Sequence, residues 1–203
     1  TFGGASSDGA KSIQQTKDGG YIVAGWTYSF GSGNEDVYIL KLDAKGQLEW
    51  QKTFGGGSYE GANSIQQTTD GGYIVAGRTE SFDSGRKDVY ILKLNAKGQL
   101  EWQKTFGGVD SDGAVSIQQA TDGGYIVAGW TYSFGSGKED IYILKLNSKG
   151  EVDTIPPEVK IISPRDGVEL GGTIEINVDA TDDVELEKVT LYIDGNKIKE
   201  YTS

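Results

Sequence analysis

The 203-residue chain contains no cysteine, no histidine and no methionine, and only 3 prolines. Without cysteine it forms neither disulfides nor thiolate zinc sites. Without histidine it lacks the side chain that most often acts as a general base near neutral pH and as an imidazole metal ligand. Catalytic triads built on histidine are excluded on the same ground. The three absences also fit a chain selected for resistance to heat or oxidation. Positive charge is scarce: 19 Lys and Arg against 30 Asp and Glu leave a net charge of −11. That balance repels phosphate backbones and anionic bilayers, so no nucleic-acid partner is expected, whereas cations are attracted. No apolar run approaches the roughly 18 residues a membrane helix needs, so no membrane insertion is expected in this segment. Thr1 is not an initiator and the chain opens inside a recurring motif, which places any export signal upstream.

Glycine, by contrast, is abundant: 31 residues. With so little proline beside it, that points to many tight turns between short strands rather than to disorder. The glycines fall in a repeat. Thr1-Phe2-Gly3-Gly4 returns at Thr53 and Thr105, a period of 52 residues in three gapless copies. Ser12-Ile13-Gln14-Gln15 returns at Ser64 and Ser116, Tyr21-Ile22-Val23-Ala24-Gly25 at Tyr73 and Tyr125, and the third strand at Asp36, Asp88 and Asp140.

Each copy contains four runs rich in β-branched and aromatic residues; in the first these are Ser12 to Thr16, Tyr21 to Thr27, Asp36 to Leu42 and Leu48 to Phe54. Asp18-Gly19-Gly20 and Ala44-Lys45-Gly46-Gln47 supply hairpin turns. Four antiparallel strands in about 40 to 50 residues make one blade of a β-propeller; coil-per-repeat solenoids use roughly half that length. Val37-Tyr38-Ile39-Leu40 is apolar on both strand faces, as a sheet covered on both sides by neighbouring blades requires. The predicted class is all-β: three consecutive four-stranded blades over about 1–52, 53–104 and 105–152, a partial propeller whose terminal blades present uncovered apolar walls. Phe-Gly-Gly, Asp-Gly-Gly-Tyr-Ile-Val-Ala-Gly and Asp-Val-Tyr-Ile-Leu-Lys-Leu together resemble the β-propeller repeats of secreted and surface proteins of bacteria and archaea, including the SBBP type. The resemblance implies an extracellular binding or scaffolding surface with no shared catalytic residues. Familiar propellers have at least four blades, so either further blades lie upstream or chains associate to complete a ring.

After Gly150 the repeat decays, and all three prolines, Pro156, Pro157 and Pro164, lie beyond it. Residues 1–152 carry 14 basic and 18 acidic side chains, and residues 153–203 carry 5 and 12. A second domain is therefore expected from Asp153, after a stiff Pro-Pro connection. Its strand signals are Val159 to Ser163, the alternating Ile174, Ile176, Val178 and Ala180, and Val189 to Ile193, with a turn at Asp194-Gly195-Asn196. Ile155-Pro156-Pro157, Ile162-Ser163-Pro164-Arg165-Asp166-Gly167 and Leu191-Tyr192-Ile193-Asp194-Gly195 are similar to bacterial Ig-like domains of surface proteins. An Ig-like sandwich takes about 100 residues, so only part of one is expected here.

Trp26, Tyr28 and Phe30 recur as Trp130, Tyr132 and Phe134, whereas the middle copy has Arg78, Glu80 and Phe82. Alternation puts Trp26 and Tyr28 on one face, where they either stack on a sugar ring or peptide or pack between blades. A core position rarely exchanges Trp for Arg, so this strand end is expected to be partly exposed, and Trp26, Tyr28, Arg78, Glu80, Trp130 and Tyr132 form the candidate ligand-binding set. Asp18, Asp70 and Asp122 are turn-capping residues in motifs that partly resemble the Asp-box, and Asp36, Asp88 and Asp140 either bond the preceding loop or ring a cation. Asp179, Asp182 and Asp183, with Asp153 at the domain junction, make an oxygen-rich group of the kind Ca²⁺ accepts, although the spacing is not that of an EF-hand and a solvated acidic face is the alternative. Trp50 and Trp102 read as core. No other cofactor is implied. The function expected is non-catalytic: adhesion or scaffolding at the cell surface or in secreted form, with a protein or carbohydrate ligand and self-association as a route to a closed ring. A glycoside hydrolase or lyase using paired carboxylates is the rival, and a structural spacer the third reading. Near-identical blades offer one surface several times, which suits multivalent weak binding better than catalysis.

Overall fold

The computed structural model describes residues 1–82, 86–152, 158–163, 176–181, 188–193 and 196–202. The chain divides into two compact units, Thr1–Gly150 and Glu151–Ser203. No described residue is helical.

In the first unit, β1 (Asp8–Gln15), β2 (Tyr21–Thr27), β3 (Asp36–Leu42) and β4 (Leu48–Phe54) form one antiparallel meander. β5 (Glu60–Gln67), β6 (Tyr73–Thr79), β7 (Asp88–Leu94) and β8 (Leu100–Phe106) form the next. β9 (Asp112–Gln119), β10 (Tyr125–Thr131) and β11 (Asp140–Leu146) form the third. The hairpins close as the glycines require: Gly19 sits at φ 83° and donates to the Thr16 carbonyl at 2.9 Å.

One expectation needs correction. The first strand of each blade starts earlier than the β-branched run, because Asp8-Gly9-Ala10 pairs with Thr27-Trp26-Gly25 before a bulge between Ala10 and Ser12. Those residues look like turn formers, yet Gly9 is what lets the Trp26 ring lie across the inner strand: a Cβ at Gly9 would stand 2.6 Å from that ring. In the third blade Glu151-Val152-Asp153-Thr154 stands where Gln47-Leu48-Glu49-Trp50 stands in the first; residues 153–157, on which most of a fourth strand falls, lie outside the described residues.

Blades stack face to face. Ile22, Ala24, Val37 and Ile39 of the first sheet share a buried cluster with Ala62, Ile65, Tyr73, Val75, Tyr90, Leu92 and Leu94 of the second. β7, with a blade on either side, is buried along its whole length, and so is β3, whose other face forms its own cluster of Val23, Tyr38, Leu40 and Leu42. Trp50 and Phe54 of the outer strand are half-buried against this cluster, with Trp50 edge-on to Tyr73 at 6.0 Å. At the inner edge the unpaired amides of β5 are satisfied by the preceding blade. Gln67 N–H donates to Gln14 Oε1 at 2.6 Å, Ile65 N–H to Ser12 Oγ at 3.3 Å, and Lys17 N–H returns a bond to Gln67 Oε1 at 2.8 Å. The same three bonds recur one period later through Gln66, Ser64 and Gln119. The Ser-Ile-Gln-Gln motif is thus a ladder that ties inner strands together and covers an edge that would otherwise be open.

In the second unit, β12 (Glu158–Ser163) pairs with β13 (Asn177–Thr181), and β14 (Lys188–Ile193) pairs with β15 (Asn196–Thr202), both antiparallel. The predicted strand residue Ile174 and the turn residues Asp194 and Gly195 lie outside the described residues.

Candidate functional site

The β2–β3 connection and the entry loop of the following blade meet at one end of each seam. Glu35 forms a parallel bridge with Tyr59, and Glu60 N–H donates to the Glu35 carbonyl at 2.7 Å. This contact turns the buried Glu35 toward the next blade and opens a cleft of about 290 Å³, lined by Lys11, Trp26, Tyr28, Glu35, Asn63 and Arg78. Trp26 and Tyr28 meet edge to face at 5.5 Å. Trp26 is half-buried and Tyr28 exposed. Arg78 Nη2 lies 3.9 Å from Glu35 Oε1, and the Glu35 carboxylate holds the Tyr28 hydroxyl above its ordinary pKa.

The second seam permutes the chemistry. Glu80 stands where Tyr28 did and Lys87 where Glu35 did, and these two approach to 3.9 Å. In the third blade Trp130 and Tyr132 repeat the aromatic pair at 5.8 Å, and the Tyr132 hydroxyl donates to Glu139 Oε2 at 3.0 Å, which raises its pKa. Trp26, Tyr28 and Arg78 are therefore brought together. Glu80 belongs to the second seam, and Trp130 and Tyr132 to the third blade. The sequence reading missed Glu35, Lys11 and Asn63. Asn63 and Lys11 sit at the bulge, and Asn63 Nδ2 donates across the next seam to the Ala114 carbonyl at 2.8 Å.

Beneath the cleft each seam carries two buried carboxylates, Asp36 with Glu60 and Asp88 with Asp112. Gly55 separates the first pair, since a Cβ there would collide with both carboxylates. Burial raises the Asp36 pKa, and the Glu60 charge adds to it, against the Ser32 amide bonded at 2.9 Å. Asp36 and Asp140 thus bond the preceding loop through the Ser32 and Ser136 amides.

At the opposite end, Asp18 and Asp70 cap their turns, as the motif indicates, through the Gly20 and Gly72 amides at 3.0 and 2.9 Å. They also hold a buried lysine that the sequence reading overlooked. Lys41 Nζ reaches Asp18 at 2.8 Å and Glu49 at 2.7 Å, and Lys93 reaches Asp70 at 2.8 Å and Glu101 at 2.9 Å. Burial disfavours both ammonium groups, yet the carboxylates outweigh it and raise both lysine pKa values.

Of the acidic group proposed for calcium, Asp179 is exposed on β13 opposite Lys160, while Asp153, Asp182 and Asp183 lie outside the described residues. Among the described residues no group of three or more Asp, Glu, His or Cys is placed to hold a metal ion. No helix among them is long and apolar enough to cross a membrane.

Comparison with known proteins agrees with this architecture. Residues 16–49 and 120–154 match the family model described as a β-propeller domain of unknown function, DUF5122, and residues 157–203 match the bacterial Ig domain model, Big_7. Over 110 residues the chain is 26% identical to the regulatory protein FlaEY of Caulobacter vibrioides, which covers 48% of this chain and 12% of that protein. The aligned stretch is thus a small part of that relative. The chain carries β-propeller repeats matching the DUF5122 family, followed by a segment matching the bacterial Ig domain.

Proposed function

We propose that this chain is a non-catalytic binding or scaffold protein of the cell surface or extracellular space, and that the clefts between its blades take a carbohydrate. The observation carrying this reading is the first cleft: an aromatic pair, Trp26 and Tyr28, beside the Arg78–Glu35 ion pair, in a recess open to solvent. An aromatic edge flanked by fixed hydrogen-bonding groups matches a sugar ring, with its apolar face and its rim of hydroxyls. The seams offer related but unequal clefts, which favours several weak contacts with one extended ligand over a single reactive centre. A bacterial Ig domain beside the repeats supports placement at the surface, where such domains commonly act.

Titration of the chain with neutral oligosaccharides such as cellohexaose, xylohexaose and maltohexaose, followed by tryptophan emission and calorimetry, tests the proposal. At least one is expected to bind, and Trp26→Ala with Trp130→Ala is expected to weaken that binding tenfold or more, which is about 1.4 kcal/mol. Failure of all three to bind, or binding that survives both substitutions, would overturn it. Release of shortened sugars would favour a glycoside hydrolase instead.

A further inference from the structure

Two residues that line the first cleft break the repeat, and both are basic. Lys11 stands where the second and third blades carry Asn63 and Val115, and Arg78 stands where the first and third carry Trp26 and Trp130. They come from adjacent blades, on β1 and β6, and converge on one recess of about 290 Å³. In a chain of net charge −11, that convergence is a local exception.

Glu35, the acid lining the same cleft, does not cancel them. Its side chain is 10% exposed against 39% for Arg78, so the cation rather than the anion faces the opening. The Glu35 carboxylate is turned to the Tyr28 hydroxyl, whose pKa it raises. Its approach to Arg78, at 3.9 Å, is an ion pair beyond hydrogen-bonding distance. Among the described residues neither the Arg78 guanidinium nor the Lys11 ammonium donates a hydrogen bond, so both keep their donors for a ligand. A guanidinium fork matches a carboxylate in shape as well as charge, and a lysine adds a mobile point charge. The second seam lacks this combination. Asn63 stands there in place of Lys11, and Glu80, in place of Tyr28, already brings a carboxylate to 3.9 Å from Lys87.

We infer that the first cleft takes a carboxylate-bearing sugar, with the Trp26–Tyr28 pair carrying the ring and Arg78, joined by Lys11, pairing with a uronate carboxylate. The inference rests on the carbohydrate reading and narrows it. Net charge sets the form of the ligand. A chain at −11 repels a homopolymer of uronates, whereas a neutral backbone with one uronate branch brings a single negative charge to the place where two positive ones meet. An acidic peptide would meet the same cations, but its carboxylates carry no ring for Trp26 to hold.

Calorimetry of the full chain with xylotetraose bearing one glucuronic acid branch, and with the same compound after carboxyl reduction to glucose, isolates the charge. The acid is expected to bind about tenfold tighter, as a charge-assisted hydrogen bond in a recess provides. Raising sodium chloride from about 50 mM to about 500 mM is expected to shrink that ratio. Lys11→Asn and Arg78→Trp each install the residue another blade carries at that place, so both variants are expected to keep the wild-type circular dichroism. Each is expected to reduce the ratio about threefold, and the double variant to bring it near one. Equal affinity for acid and reduced form, or a ratio that survives the double substitution, would overturn the inference and leave the carbohydrate reading standing. Tighter binding of a tetraglutamate peptide than of the acid would overturn it in favour of a peptide. Binding of neither sugar would overturn it too, and the neutral hexaoses then show whether the carbohydrate reading falls with it.

Discussion

The second and third blades have almost the same sequence and very different interiors. Asp88–Leu94 reads Asp-Val-Tyr-Ile-Leu-Lys-Leu and is buried at every position, whereas Asp140–Leu146 reads Asp-Ile-Tyr-Ile-Leu-Lys-Leu and alternates between buried and open. Ile91 is 0% exposed and Ile143 is 54% exposed. The lysine follows: the Lys93 side chain is 4% exposed and that of Lys145 is 51% exposed. Composition makes the strand, but the next blade decides whether both faces become interior. In a propeller the core therefore lies between repeats rather than within them, and a blade without a successor keeps its fold while losing half of its burial.

The largest expected difference is between two identical truncations. Ile91→Ala removes side chain from a filled seam and is expected to cost about 2–5 kcal/mol. Ile143→Ala, its counterpart, is expected to cost less than about 1 kcal/mol. Urea denaturation at low protein concentration measures both, and equal losses would break the distinction between covered and uncovered blades.

A smaller effect is electrostatic. Burial works to raise the Asp70 pKa, but the Lys93 ammonium, the Thr68 hydroxyl and the Gly72 amide hold it down at about 2. A carboxylate depressed below its unfolded value of about 3.9 contributes stability that is present above that pH and is lost as the pH falls toward 2. Asp18 and Asp122 are shifted in the same direction by Lys41 and Lys145. Asp36 acts with the opposite sign: its raised pKa favours the fold in acid, and that contribution is lost as the pH rises through its folded value. Thermal melts from about pH 5 down to about pH 2 are expected to show falling stability, and Asp70→Asn is expected to flatten part of that slope. An unchanged slope in the variant would mean that the Lys93 site does not set acid stability.

Much of this fold is legible in the sequence because its information is local and repeated. The period of 52 residues, the hairpin glycines and the two-sided apolar third strand each state one blade. What escapes depends on a neighbour. Asp8-Gly9-Ala10 has the composition of a turn, and only the Trp26 ring lying on Gly9 shows why a strand needs glycine there. Lys41 looks like the polar end of an apolar run until Asp18, from the β1–β2 turn, and Glu49, from β4, close over it. The candidate site divides in the same way. Trp26, Tyr28 and Arg78 stand out because one copy breaks the pattern of the others, but Glu35 reaches them through a bridge to Tyr59 of the next blade, which no spacing within a repeat announces.

Side chains of one blade complete the hydrogen bonding of the next blade's inner strand. Amide hydrogen exchange in a Gln14→Ala variant measures this. Gln67 N–H, which donates to Gln14 Oε1 at 2.6 Å, is expected to exchange about tenfold faster, the worth of one hydrogen bond. Gln119 N–H, held by Gln66, is expected to keep its wild-type rate. A Gln67 rate that does not change, or a rise at Gln119 equal to that at Gln67, would contradict the account.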